Sequence, residues 1–176
     1  MFCLYIDADS LPKTHRKIVL RRIIKENLTA YFAADRELPD VVEAKALHTA
    51  DLRQPHKDKL EKSELRKIRS GINMIVVESG ADSADNYLVE IAVAPGLAIT
   101  HDIPLASRLI EKGITVLDDR GEELSRDNIR ERLSIRDVMA DFREMGINPD
   151  KTKRFDERTI NEFASSFDRI VNSMLK

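Results

Sequence analysis

The chain reads as an α/β protein with a mostly parallel central sheet and helices packed on its faces. Three observations predict this class. Short apolar runs rich in β-formers alternate with segments of helical periodicity over about residues 2–117. Hydrophobic residues make up 42% of the 176 residues, enough for the core of one domain. Proline and glycine fall between the runs, at Pro12, Pro39, Gly71, Pro95-Gly96, Pro104 and Gly113, where boundaries are expected.

Phe2–Ile6 is a buried-strand candidate that ends in the carboxylates Asp7 and Asp9. Pro12 then opens a helix in which Ile18, Leu20, Ile23, Ile24 and Leu28 keep roughly helical spacing. Thr29–Ala34 is the second strand candidate. Residues from about 41 to 70 differ: they are polar, rich in Lys, divided by Pro55, and carry His48 and His56. From Lys57 to Arg69 the apolar positions are Leu60, Leu65 and Ile68, so the segment is expected to be an exposed helical excursion, not a core element. Ile72–Val77 is a strong strand candidate. Ser83–Ala94 reads as a helix with Asp82 or Ser83 as N-cap. Leu97–Thr100 is a strand that ends at His101 and Asp102, Pro104–Lys112 a helix capped by Gly113, and Ile114–Leu117 a further strand. Asp118–Gly121 is a turn. Two helical segments, 125–146 and 156–175, follow, separated by Gly146 and Asn148-Pro149. Residues 1–120 thus form an α/β unit, with a helical insertion at about 41–70, and residues 121–176 a C-terminal helical extension packed on it.

Charged residues reach 34%, but the net charge is only −2, so any nucleic-acid contact must be local. The one cysteine, Cys3, excludes a disulfide framework and a cysteine zinc cluster and fits a reducing compartment. The N-terminal apolar run is too short for a signal peptide, and no stretch approaches the ~20 apolar residues that span a bilayer. A cytoplasmic location without a membrane partner is expected.

In an open parallel sheet, ligands bind beyond the carboxyl ends of the strands. Asp7 and Asp9 follow the first strand, Asp82 and Asp85 the Ile72–Val77 strand, and Asp102 the Leu97–Thr100 strand, so all five are expected at one edge. Converging carboxylates raise one another's pKa unless a cation offsets them. Oxygen-only ligands suit Mg²⁺ or Mn²⁺, which activate a water and stabilise a phosphodiester transition state. Asp82, Asp85 and Asp102 also suit helix caps, whereas Asp7 and Asp9 cannot both be explained by capping. His48, His56 and His101 are treated as scattered surface histidines. Ser10 and Ser79 have no recognisable His–Asp partner, and no glycine-rich phosphate loop or dinucleotide fingerprint is present.

Several ordered motifs carry a resemblance. Ile6-Asp7-Ala8-Asp9-Ser10-Leu11-Pro12 resembles the V-D-A-D-A-C-P opening of the bacterial YaiI/YqxD family. Asp82-Ser83-Ala84-Asp85-Asn86 is similar to its D-x-A-D-N segment, and Ile99-Thr100-His101-Asp102-Ile103-Pro104-Leu105-Ala106 to its I-T-x-D-I-P-L-A block. Arg120-Gly121-Glu122 and Ile129–Asp137 resemble its R-G-E and I-R-E-R-L-x-x-R-D segments. The resemblance implies a three-layer PIN-like fold and a metal-dependent nuclease, with RNA the favoured substrate. It implies catalytic roles for Asp7, Asp9, Asp85 and Asp102, and Mg²⁺ or Mn²⁺ held by Asp7, Asp85, Asp102 and Asp82. Asn86, Thr100 and Ser10 would support these acids. The chain departs from the family pattern at Leu11, where the cysteine stands, so thiol chemistry is not carried over.

The 41–70 segment carries 8 basic residues against 5 acids, a net of +3. This makes Lys57, Lys59, Lys62 and Arg66 candidates for nucleic-acid contact; a solvated helix or a homo-oligomer contact are the other readings. Arg120, Arg130, Arg132 and Arg136 are further candidates for a nucleic-acid backbone, against surface charges or packing salt bridges. Phe142, Met145, Phe155, Phe163 and Phe167 are expected in the core and lid of the C-terminal helices. Two rivals stand beside the nuclease. Asp7-Ala8-Asp9 also fits a haloacid dehalogenase-type phosphatase with Asp7 as nucleophile, Lys112 as its lysine and Asp118-Asp119 as its late acidic pair. A PIN-like fold can also serve as a non-catalytic RNA- or protein-binding module.

Overall fold

The computed structural model describes residues 2–77, 83–145 and 156–176, apart from the side chains of Phe142 and Arg143. Asp82, Ser79, Phe155 and the Gly146–Pro149 break lie outside the described residues. Strands β1 (Cys3–Asp7), β2 (Thr29–Ala34), β3 (Ile72–Val76), β4 (Gly96–Ile99) and β5 (Thr115–Leu117) run parallel, and β6 (Glu123–Leu124) closes the far side antiparallel to β5. The spatial order is β3-β2-β1-β4-β5-β6. All five parallel strands therefore end at one edge, with Asp7, Ala34, Val76, Ile99 and Leu117 last.

Alternation along the strands splits the core in two. Leu4, Ile6, Phe32, Leu97 and Ile99 point to one face, where they meet α1 (Lys13–Glu26), α2 (Pro39–Arg53) and α7 (Glu157–Met174). Tyr5, Ala33, Ala98 and Val116 point to the other, against α4 (Ser83–Ile91), α5 (Ile103–Glu111) and α6 (Arg126–Glu144). The result is a three-layer α/β/α sandwich with the central strands covered on both sides, as parallel sheets require.

Helix α1 starts at Pro12 and ends on Asn27, whose left-handed φ of 49° lets its N–H close the last turn onto Ile23 and Ile24. Helix α7 buries Phe163, Phe167, Ile170 and Val171, and the His15 ring of α1 sits 4.7 Å from the Phe163 ring. The turn after β5 touches the same helix. Gly121 has φ +87°, and a Cβ there would lie 2.8 Å from the Glu162 backbone, so glycine is required on two counts.

The 41–70 segment departs from its expected character. Its first half belongs to α2, the crossover helix between β2 and β3, which buries Val41 and seats Ala44 against the core. His48 is buried as well, with Nδ1 2.9 Å from Ser70 Oγ, so it is not a surface histidine. Only the stretch from Gln54 to Arg69, with the short helix α3 (Lys62–Leu65), is predominantly exposed. Met145, expected in the core, is 73% exposed. Among the described residues no helix is long and apolar enough to cross a membrane.

Candidate active site at the carboxyl edge of the sheet

The strand order reverses between β1 and β4, both of which feed helices from the same edge. Ligands of open α/β sheets settle in the crevice beyond the strand ends at such a switch point. Asp7 is the last residue of β1 and only 6% exposed; Thr100, just past β4, is 1% exposed. Register places them side by side, since Ile6 pairs with Ile99.

A hydrogen-bond chain runs across the crevice. Asp7 Oδ2 accepts from Ser10 Oγ at 2.6 Å and from Thr100 Oγ1 at 2.8 Å. Thr100 Oγ1 in turn accepts from the Asp102 backbone N–H at 3.0 Å. Asp102 Oδ1 caps α5 by accepting from Leu105 N–H at 2.8 Å, so the capping role does apply to this residue. Capping uses one oxygen only. Among the described residues, Asp7 Oδ1 and Asp102 Oδ2 receive no hydrogen bond. The two carboxylates are thus fixed through one shared threonine hydroxyl, each with an oxygen left over.

Asp9 is turned toward the neighbouring loop. Its Oδ2 accepts from the Asp35 N–H at 2.7 Å, and the Arg36 guanidinium lies 3.9 Å from Oδ1. Burial pushes its carboxyl above the usual range; the Asp35 amide opposes this and the Asp35 charge adds to it. Asp85 lies in the first turn of α4 and is half-buried, whereas Asn86 is exposed to solvent.

Three further residues contribute at this edge: Arg16, which the sequence does not single out, and Asp118 and Asp119, which it raises only as the late acidic pair of the phosphatase alternative. Arg16, buried in α1, donates from one terminal nitrogen to the Leu11 carbonyl at 2.6 Å and to the Ala8 carbonyl at 3.4 Å. Its other nitrogens reach both oxygens of Asp40 at 2.9 and 3.2 Å. This fork holds the Ala8–Leu11 loop, and with it Asp9 and Ser10, against the start of α2. Asp118 and Asp119, at the end of β5, are both buried. Asp118 Oδ1 accepts from the Arg120 and Glu122 amides at 2.9 and 2.8 Å, while burial raises its pKa against the pull of those bonds. Arg132 of α6 approaches Asp118 at 4.0 Å and is bonded to Glu122, so it is a packing ion pair. Asp119 lies 3.5 Å from His101 Nδ1. Its hydrogen bond raises the His101 pKa; burial opposes, and the charges of Asp119, Asp7 and Asp102 reinforce. No sequence signal marks Arg16, because a buried arginine looks like any other until the sheet places it.

Two expectations fail on position. Helix α2 leads from the carboxyl end of β2 back to the amino end of the sheet, where Gly71 O accepts from Ala30 N at the start of β2. The exposed arm with Lys57, Lys59, Lys62 and Arg66 therefore sits at the edge opposite to Asp7, roughly the 22 Å length of α2 away. It does not flank the carboxylates. Lys112 ends α5 at that same far edge and donates to the Val89 carbonyl, so it cannot serve as a phosphatase lysine beside Asp7.

Among the described residues, no group of three or more His, Cys, Asp or Glu is placed to hold a metal ion. Two free carboxylate oxygens are nevertheless a fitting donor set for Mg²⁺ or Mn²⁺. Ions of this hard class use one or two carboxylates and complete their shell with water and substrate phosphate.

The model of the family described as "Uncharacterized BCR, YaiI/YqxD family" matches residues 58–173. A UPF0178 protein of Trichlorobacter lovleyi is 35% identical over 173 residues, covering 98% of this chain and 96% of its own. One from Treponema denticola is 33% identical over 98% of this chain and 94% of its own length. One from Pseudomonas entomophila is 34% identical over 98% of both. No solved structure matches the chain.

Proposed function

The chain belongs to the YaiI/YqxD family, and on that footing we propose that it is a divalent-metal-dependent phosphodiesterase, a PIN-like nuclease with RNA as its favoured substrate. The observation that carries this reading is the Asp7–Thr100–Asp102 chain at the switch point, with one unbonded oxygen on each acid. A structural salt bridge would have filled those oxygens, and a mere cap would not need Asp7.

Asp7 Oδ1 and Asp102 Oδ2 would hold the ion, with Asp85, and Asp82 outside the described residues, as further ligands from the β3–α4 side. A bound Mg²⁺ or Mn²⁺ would supply Lewis-acid stabilisation to the phosphodiester oxygens and lower the pKa of a nearby water. The protein's own groups do the positioning. Ser10 and Thr100 orient Asp7, Thr100 sets its spacing from Asp102, and Arg16 holds the Ala8–Leu11 loop in place. His101, favoured in its charged form by Asp119, places positive charge beside the site, where an anionic substrate benefits.

Cleavage of labelled single-stranded RNA in Mn²⁺ tests the reading. Asp102→Asn keeps an N-cap oxygen and so the fold, but should abolish cleavage. Ser10→Ala should lower the rate about 10- to 100-fold, as loss of a ligand-orienting bond does. Wild-type rates in Asp102→Asn would overturn the proposal. So would an acid-stable phosphoryl group on Asp7, the mark of the phosphatase alternative.

A further inference from the structure

Lys13, Lys17 and Arg21 stand four residues apart on α1, a spacing that puts them in one row with a rise of about 6 Å per step. All three are exposed, and none has an ion pair or hydrogen bond among the described residues. The other cations of this helix are spoken for: Arg16 by Asp40, Arg22 by Glu26 and Asp168, and Lys25 by Glu26. The unmatched charge is thus confined to one side. That side is a wall of the groove between α1 and α2. The floor is apolar, formed by Leu20, Ile24 and Leu47, and Leu47 is 60% exposed. The acids at the groove do not cancel the row, since Asp40 is already neutralised by Arg16 and Glu43 stands alone on the far wall. Its upper end opens at Lys13, three residues past Ser10, beside the carboxylate edge.

A row of unmatched cations above an apolar shelf fits a chain with repeating phosphates and flat apolar faces. We infer that the α1–α2 groove is a track for single-stranded nucleic acid leading into the Asp7–Asp102 site. Phosphates would run along Lys13, Lys17 and Arg21, and bases would rest on Leu47 and Ile24. This rests on the nuclease reading and gives it a substrate path, one that the far-edge arm cannot provide. An acidic peptide would match the cations but leave the shelf unused. A second copy would cover Leu47 but set Lys17 and Arg21 against only Glu43.

The test is fluorescence anisotropy of a labelled oligouridylate with the full chain, in EDTA, across a salt series. Lys17→Ala/Arg21→Ala should make the slope of log affinity against log salt shallower by about 1.4, from roughly 0.7 per lost phosphate contact on single strands. Leu47→Ser should weaken binding about fivefold or more, the change expected when the apolar area of one exposed leucine is no longer covered, with the slope unchanged. The track is overturned if Lys17→Ala/Arg21→Ala keeps the wild-type slope, or if Lys57→Ala/Lys59→Ala carries the change instead. It is equally overturned if wild type does not bind, including the case where light scattering shows a dimer that Leu47→Ser splits. Binding is read without metal. Intact binding in a chain that never cleaves would sink the nuclease reading alone, and cleavage with an unchanged slope would sink the track alone.

Discussion

Thr100→Val removes one hydroxyl from the centre of the crevice and keeps the branched shape. Two hydrogen bonds go with it: the 2.8 Å donation to Asp7 Oδ2 and the 3.0 Å acceptance from Asp102 N–H. A bond to a charged acceptor contributes about 1.5–3 kcal/mol and a neutral one about 0.5–1.5 kcal/mol. Asp7 keeps Ser10 as a donor at 2.6 Å, so part of the loss is recovered by the remaining hydroxyl. The expected cost is about 2 kcal/mol, or a fall of roughly 4–8 °C in melting temperature for a chain of this size. Urea unfolding should show a lower midpoint with an unchanged slope, while Thr100→Ser should stay near wild type. If Thr100→Val costs less than about 0.5 kcal/mol, Thr100 does not couple the two carboxylates, and the geometry assigned to the site is wrong.

Two further outcomes follow from the surroundings. Arg16→Met removes the buried partner of Asp40 and the anchor of the Ala8 and Leu11 carbonyls. It should cost about 1–3 kcal/mol in denaturant unfolding, because the buried Ala8 and Leu11 carbonyls lose their donor and the partly buried Asp40 loses its ion pair; a loss under about 0.5 kcal/mol would refute the loop-anchor role. For His101, the Asp119 hydrogen bond raises the folded-state pKa, so the folded chain holds the proton more tightly than the unfolded one. That stabilisation is complete below the ordinary histidine value of about 6.5 and is lost as pH rises through the higher folded value. NMR titration of the ring should show a raised midpoint that Asp119→Asn returns toward the ordinary value; an unmoved midpoint would dissolve the pair.

The sheet was legible because each parallel strand is a compact apolar run closed by a turn signal, and the crossover helices fill the intervals. β6 escaped notice because Glu123–Leu124 is two residues long, too short for alternation to register. Helix α2 was misjudged for a different reason. Its inner face is Val41, Ala44 and His48, and a buried histidine satisfied by Ser70 reads as polar in any pattern of hydropathy. The first acids of the site were legible from strand ends alone, since a parallel sheet sends all of them to one edge. Arg16 and the position of the basic arm were not, because they depend on which end of a crossover helix a residue occupies; Asp119 was raised only as part of a phosphatase pair, and its approach to His101 depends on the turn after β5. The same topology that gathered Asp7 and Asp102 removed Lys57, Lys59, Lys62 and Arg66 from their neighbourhood.

The central claim is that the carboxylates at the β1–β4 switch point hold a divalent cation. Calorimetric titration of Mn²⁺ into wild type, Asp7→Asn and Asp102→Asn tests it most directly. The account predicts saturable binding at millimolar concentrations or below in wild type, and its loss in each variant while the melting transition stays cooperative. Absence of binding in wild type, or binding unchanged in Asp7→Asn, would contradict it.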